Sequence, residues 1–159
     1  MNNIYLSLGS NIGDRAGNIS RAVAELGARG VRVVKQSALY ETEPVELREQ
    51  GWFLNCVVEV ETELTPQQLM QVLLKIEREM GRERIVPKGP RIIDMDILLF
   101  SSSVVKESRL EIPHPRMADR CFVLVPLADI APGAVHPVLK KTIQQLLQET
   151  PDHSEVRRV

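Results

Sequence analysis

GRERIVPKGPRIIDMDILLF, residues 81–100, is the stretch whose reading decides the fold of this chain. Its second half, residues 92–100, is a run of Ile, Leu, Met and Phe that reads as a buried strand. Asp94 and Asp96 interrupt it. Strand side chains alternate between faces, so both carboxylates point one way and Met95 the other. Their side chains start roughly 6–7 Å apart by the strand rise, and at an effective dielectric of about 20 they repel by about 2.5 kcal/mol. Desolvation adds to that, because buried charges are tolerated only when paired or bound to metal. A divalent cation removes both penalties, and Mg²⁺ is typically held by one or two carboxylates with substrate phosphates completing its shell. Just upstream stand Arg82, Arg84, Lys88 and Arg91. Alone, such a charge run is as readily a solvated surface. Beside the acid pair it suits a nucleoside triphosphate, since arginine's planar fork donates two parallel hydrogen bonds to phosphate. Gly89-Pro90 would fix the approach of Arg91 to the strand.

Outward from this stretch, the pattern gives strand, helix, strand, strand, helix, strand. Residues 4–8 form a short strand that runs into the turn residues Gly9 to Asp14. Asp14 caps a helix carrying Ile19, Ala22, Val23 and Leu26 at helical spacing, with Gly27 and Gly30 at its end. Residues 31–40 read as a second strand, followed by a polar, Pro-containing loop over 41–52. Residues 53–61 form a third strand, with Cys56, Val58 and Val60 on one face and Phe53, Asn55, Val57 and Glu59 on the other. Thr65-Pro66 is the clearest helix start, and Leu69, Leu73, Ile76 and Met80 make its apolar stripe before Gly81 ends it. That order predicts a ferredoxin-like βαββαβ sandwich, an α+β fold with an antiparallel sheet and both helices on one side. The opposite sheet face, with Asp94 and Asp96, is then where substrates would lie. After Phe100 the chain reads as a turn, a short strand pair and a Pro-rich loop. A short buried segment at 121–127, a last helix around Ile143, Leu146 and Leu147, and frayed residues from Pro151 onward complete a C-terminal extension.

Composition narrows the class. The 159 residues carry 20 Lys plus Arg against 21 Asp plus Glu, a net charge of −1, which argues against coating nucleic acid or an anionic membrane. With no repeat or linker in the pattern, residues 1–159 are expected to form a single domain. Cys56 and Cys121 are too far apart in sequence for a metal or redox motif. The start MNNIYLSLGSN lacks a signal-peptide pattern, and no apolar run reaches the length of a spanning helix, so a cytoplasmic protein is expected.

Other candidates are weaker singly. Gly9-Ser10-Asn11 lacks both the P-loop lysine pattern and GxGxxG, and reads better as a tight turn at a strand end. Gly-Ser with Asp-x-Asp also occurs in polymerase-β-like nucleotidyltransferases, but more than eighty residues separate the two elements here. His114, between Pro113 and Pro115, reads as a loop residue or, near Arg109 and Arg120, as a phosphate contact. Phe53 and Asn55 share a face, and an aromatic plate with an amide suits a flat heterocycle; Phe122 could be a second plate.

Taken together, Leu8-Gly9-Ser10-Asn11, Tyr40-Glu41-Thr42, Phe53-Leu54-Asn55, Gly81-Arg82 with Arg84, Gly89-Pro90-Arg91, Asp94-Met95-Asp96-Ile97-Leu98, and Arg109-Leu110 with Pro113-His114-Pro115 resemble the 6-hydroxymethyl-7,8-dihydropterin pyrophosphokinase family. The resemblance runs from residue 4 to the last helix. It implies transfer of the pyrophosphoryl group of ATP to the hydroxymethyl oxygen of the pterin, leaving AMP, in folate biosynthesis. It implies that Asp94 and Asp96 hold two Mg²⁺ ions between ATP and the pterin. Arg82, Arg84, Lys88, Arg91, Arg109, His114 and Arg120, with Glu77 and Ile97, would serve the nucleotide, Arg82 and Arg91 in catalysis. Thr42, Pro44, Val45, Phe53, Asn55 and Phe122 would line the pterin pocket, with the two aromatics sandwiching the ring. The expected partners are ATP and the pterin, and the expected state is a monomer, with a weak dimer as the alternative. Three positions depart from the family's usual residues: Lys88 for Trp, Leu74 for Gln and Glu111 for Thr. The rivals are a ligand-sensing module without chemistry and a Mg²⁺-dependent nucleotidyltransferase.

Overall fold

The computed structural model describes residues 3–43, 51–81 and 92–159. The central strand is β1 (Ile4–Ser10), buried along its whole length because it is paired on both edges. α1 (Arg15–Ala28) follows, and its N-cap Asp14 accepts a hydrogen bond from the Gly17 backbone at 3.0 Å, as its position before the apolar repeat predicts. β2 (Arg32–Gln36) and β3 (Tyr40–Thr42) then pair in succession with β4 (Phe53–Glu61). α2 (Pro66–Glu79) opens with a complete capping box, Thr65 with Gln68, and Pro66 at its first turn. Its end is marked by Gly81 at φ +83°, a left-handed conformation that costs glycine no steric energy. β5 (Asp94–Phe100) returns beside β1.

The sheet order is β5-β1-β4-β3-β8, with β2 also on β4, and every pairing is antiparallel. This is the ferredoxin-like arrangement read from the sequence. α1 and α2 pack on one face, burying Ile19, Leu26, Leu69, Leu73 and Ile76 against Leu6, Leu8, Cys56, Val58, Val60, Met95 and Ile97. The period-2 reading of β4 and β5 therefore holds: Met95 lies in this core, and Asp94 and Asp96 face away from it.

Five expectations change. The single strand over 31–40 is two strands. Ser37 lies at the break, where its hydroxyl accepts the Val57 N–H at 2.9 Å and its own N–H bonds the Val57 carbonyl at 2.9 Å. The segment at 121–127 is a full helix, α3 (Cys121–Ile130), which contains Pro126 and is apolar on nearly every side. It is buried together with α4 (Ile143–Glu149) over the second sheet face, against Tyr5, Val57, Leu98 and Leu99. That face is thus shared between a C-terminal helix layer and the acid pair rather than left open. The frayed tail ends instead in β8 (Val156–Arg158), paired with β3. Its pairing is made by backbone groups, so no apolar alternation announces it. Gly9 and Ser10 are the last residues of β1 itself, so the tight turn lies beyond them. The strand pair after Phe100 is as expected, β6 (Val105–Glu107) and β7 (Leu110–Ile112).

Candidate active site

One end of the second sheet face is polar where the rest is apolar. Register places Gly9 between Asp94 on β5 and Asn55 on β4, and Ser7 beside Asp96. Asn55 in turn lies opposite Tyr40, and Phe53 opposite Thr42. Ser7, Thr42 and Asn55 on this face, Ser10 and Glu77 on the helix side and Asn11 just beyond β1 are all buried, six of the eight buried polar or charged residues described. Such a concentration is informative, because buried polar groups must be satisfied and are otherwise avoided.

Five of the six are held by specific side-chain bonds. Asn55 donates through Nδ2 to Thr42 Oγ1 at 2.6 Å, leaving its Oδ1 over Gly9. A Cβ on Gly9 would sit 2.4 Å from that oxygen and 3.4 Å from the Phe53 ring. Gly9 therefore lets the Asn55 amide lie directly against the strand backbone beside the Phe53 ring, a role that the tight-turn reading missed. Asn18 ties the end of β1 by donating to Ser10 Oγ at 3.1 Å and to the Ile12 carbonyl at 2.9 Å. Asn11 donates to the Gly51 carbonyl at 3.1 Å.

On the other side of the acid pair, a cleft of about 310 Å³ is lined by Met70, Asp96, Ile97, Glu107, Arg109, Leu110, Glu111, His114 and Pro115. Four expected site residues thus converge: Asp96, Ile97, Arg109 and His114. The size is at the lower end of small-ligand pockets. Of the family departures, Glu111 lines this cleft, whereas Leu74 is 44% exposed and does not. Glu77 is only 3% exposed, and its Oε2 accepts the Met95 N–H at 2.7 Å. It thereby fixes the backbone between the two aspartates from the helix side.

His114 is anchored through its backbone N–H to the Leu98 carbonyl at 3.0 Å. Its Nδ1 accepts the Arg116 N–H at 3.1 Å, so a neutral ring carries its proton on Nε2. Burial, then the charge of Arg120, push its pKa down to about 4, with Asp94 opposing. Neutral His114 is therefore a donor at pH 7. Arg120 and Phe122 flank Cys121 at the start of α3, and the Arg120 guanidinium lies 5.4 Å over the Phe122 ring. Arg15, which the sequence reading did not single out, joins Trp52 and Glu41 into a further group. Arg15 bonds the Trp52 carbonyl at 3.0 Å and Glu41 Oε2 at 2.9 Å. The Arg15 hydrogen bond holds the Glu41 carboxyl below its usual range.

Asp94 and Asp96 are half-buried on one face, opposite the small residues Gly9 and Ser7. Among the described residues no group of three or more His, Cys, Asp or Glu could hold a metal ion. Two hard oxygen donors nevertheless fit Mg²⁺ that takes its remaining ligands from phosphate and water. Arg82, Arg84, Lys88, Arg91, Pro44 and Val45 lie outside the described residues.

The profile of the 7,8-dihydro-6-hydroxymethylpterin-pyrophosphokinase (HPPK) family matches residues 5–132. The chain belongs to this family. Its members are the pyrophosphokinases of folate biosynthesis. A Methylorubrum extorquens 2-amino-4-hydroxy-6-hydroxymethyldihydropteridine pyrophosphokinase is 46% identical over 160 residues, covering 100% of this chain and 99% of that protein. The Bacillus subtilis protein of the same name is 50% identical over 132 residues, 82% of this chain and 79% of its own. HPPK sequences also occur within longer proteins: the Pneumocystis carinii folic acid synthesis protein fol1 is 42% identical over 94% of this chain, which spans 20% of its length. Plasmodium falciparum HPPK-DHPS with pteroate superposes at a TM-score of 0.72 with 19% identity, over 94% of this chain and 42% of that one, and so shares the HPPK fold.

Proposed function

We propose that this HPPK chain transfers the terminal pyrophosphoryl group of ATP to the hydroxymethyl oxygen of 6-hydroxymethyl-7,8-dihydropterin. The hydroxyl oxygen bonds to the β-phosphorus, the bond from that phosphorus to the α,β-bridging oxygen breaks, AMP leaves, and the hydroxyl proton passes to a base or to water. One observation carries the reading. The acid pair of β5 stands between a cleft at Asp96, Arg109 and His114 and a cluster of Gly9, Asn55, Thr42 and Phe53.

In this reading Asn55 and Thr42 hydrogen-bond the pterin, with Phe53 and Phe122 as plates on its two faces and Pro44 and Val45 as further pterin contacts. His114 donates from Nε2 to the nucleotide, while Arg109 and Arg120 bind its phosphates or sugar. Arg82, Arg84, Lys88 and Arg91 would neutralise the triphosphate, Arg82 and Arg91 acting most on charge that develops during transfer. Asp94 and Asp96 would hold two Mg²⁺ ions, which supply charge neutralisation of the phosphates and acidification of the pterin hydroxyl. Glu77 keeps the two carboxylates in register by holding the backbone between them.

We place the enzyme in the cytoplasm as a monomer; among the described residues no helix is long and apolar enough to cross a membrane. The test is incubation with Mg²⁺-ATP and the hydroxymethyl dihydropterin. AMP and pterin diphosphate in equal amounts are expected. Release of pyrophosphate would indicate nucleotidyl transfer instead, and no turnover would return the chain to a binding module.

A further inference from the structure

The last strand touches the site from behind. β8 pairs with β3, setting Val156 opposite Thr42 and Arg157 opposite Glu41. The Arg157 guanidinium lies 4.4 Å from the centroid of the Trp52 ring. Its Nη2 donates to Glu41 Oε1 at 3.2 Å, and its Nε lies 3.3 Å from Glu155 Oε2. Glu41's other oxygen accepts from Arg15, which also holds the Trp52 carbonyl. Trp52 is thus fixed at its ring by Arg157 and at its backbone by Arg15, with Glu41 joining the two arginines. Two residues of the same tail reach further. Glu155 exchanges bonds with Glu43, its N–H to Glu43 Oε1 at 2.7 Å and its carbonyl from the Glu43 N–H at 3.3 Å. Asp152 Oδ2 accepts the Cys121 N–H at 2.8 Å, in the first turn of α3.

These contacts fall on the sequence neighbours of three residues assigned above to the pterin: Glu41 and Glu43 around Thr42, Trp52 before Phe53, and Cys121 before Phe122. We infer that residues 152–158 form a strap that braces the three walls of the pterin site, with Arg157 as its positioning residue. The inference rests on the assignment of those walls in the proposed function. A role in global stability alone does not account for the pattern. The Arg157 side chain is 56% exposed, and ion pairs so exposed contribute little to folding. Holding an indole at one orientation is a local effect, and small displacements of a substrate-positioning group have large kinetic consequences.

Trp52 is the only tryptophan in the chain, so its fluorescence reports this junction without interference. The experiment compares wild type, Arg157→Ala and Arg157→Lys by steady-state kinetics, thermal melting and acrylamide quenching of Trp52. For Arg157→Ala we expect KM for the pterin to rise about tenfold, KM for ATP to stay within about twofold, the melting temperature to hold, and quenching to increase. Lysine keeps the cation over the ring but not the guanidinium's two contacts, to Glu41 and Glu155, so Arg157→Lys should recover part of the pterin KM. An unchanged pterin KM, or an equal rise in both KM values, overturns the strap's role in the pterin site. If wild type makes no AMP, the proposed reaction fails, and unchanged quenching in Arg157→Ala would separately refute the brace on Trp52.

Discussion

Gly9 is the residue whose reason for being is easiest to state physically. It lies mid-sheet, flanked by Asp94 and Asn55, where any Cβ collides with the Asn55 amide oxygen. Asn55 cannot swing away without losing its 2.6 Å bond to Thr42. Gly9→Ala should therefore leave the fold intact and weaken pterin binding by tenfold or more, roughly the effect of one extra methyl in a fitted pocket. Calorimetric titration of pterin and of an ATP analogue separately checks it; equal affinity for pterin would remove Gly9 from the pterin site. His114 makes a prediction about pH. Its pKa is near 4 when folded against an ordinary 6.5. Between those values the unfolded chain holds a proton that the folded chain does not, so acidification from about pH 6.5 to about pH 4 costs stability. Above 6.5 the residue is neutral in both states and contributes no slope. His114→Asn should flatten the melting temperature against pH within that window, as measured by scanning calorimetry. An unchanged slope would mean that the imidazole is not kept neutral by its surroundings.

Among elements, α2 and β5 are legible in the sequence for local reasons. Thr65-Pro66 with Gln68 is a start signal complete in four residues, and the apolar stripe that follows has one period. Thr65→Ala should lower stability by about 1 kcal/mol through loss of the cap. Leu73→Ala, at a fully buried site in the core between the helices and the sheet, should cost about 2–5 kcal/mol. Urea unfolding separates the two, and equal effects would mean that the stripe is not the core-facing side. α3 was not legible because its sequence, CFVLVPLADI, is apolar with little helical periodicity and contains a proline. A helix buried on most sides has no polar face to set a period. Its structural role is nonetheless large, since it caps the apolar half of the second face. β8 was illegible for a different reason: three residues paired by backbone to a three-residue neighbour leave no pattern in side chains.

At the scale of the molecule, the division of the second sheet face is what makes a site. α3 and α4 cover the half formed by Tyr5, Val57, Leu98 and Leu99, and the remaining end holds the acid pair with the buried Ser7, Thr42 and Asn55. The sequence could show that two acids share a face, because alternation is a property of the strand alone. It could not show that Glu77 reaches across from α2 to hold Met95, since that contact spans the packing of two elements. Nor could it show the strap. Binding of a metal-nucleotide across this end should stabilise the whole chain, by about 2.7 kcal/mol at a hundredfold excess over Kd, and EDTA should remove most of that gain. The most direct measurement of the central claim is AMP formation by Asp96→Ala beside wild type, with Mg²⁺-ATP and pterin saturating. The paired-carboxylate account predicts a folded variant whose turnover is lower by about a thousandfold or more. Turnover within tenfold of wild type would contradict it.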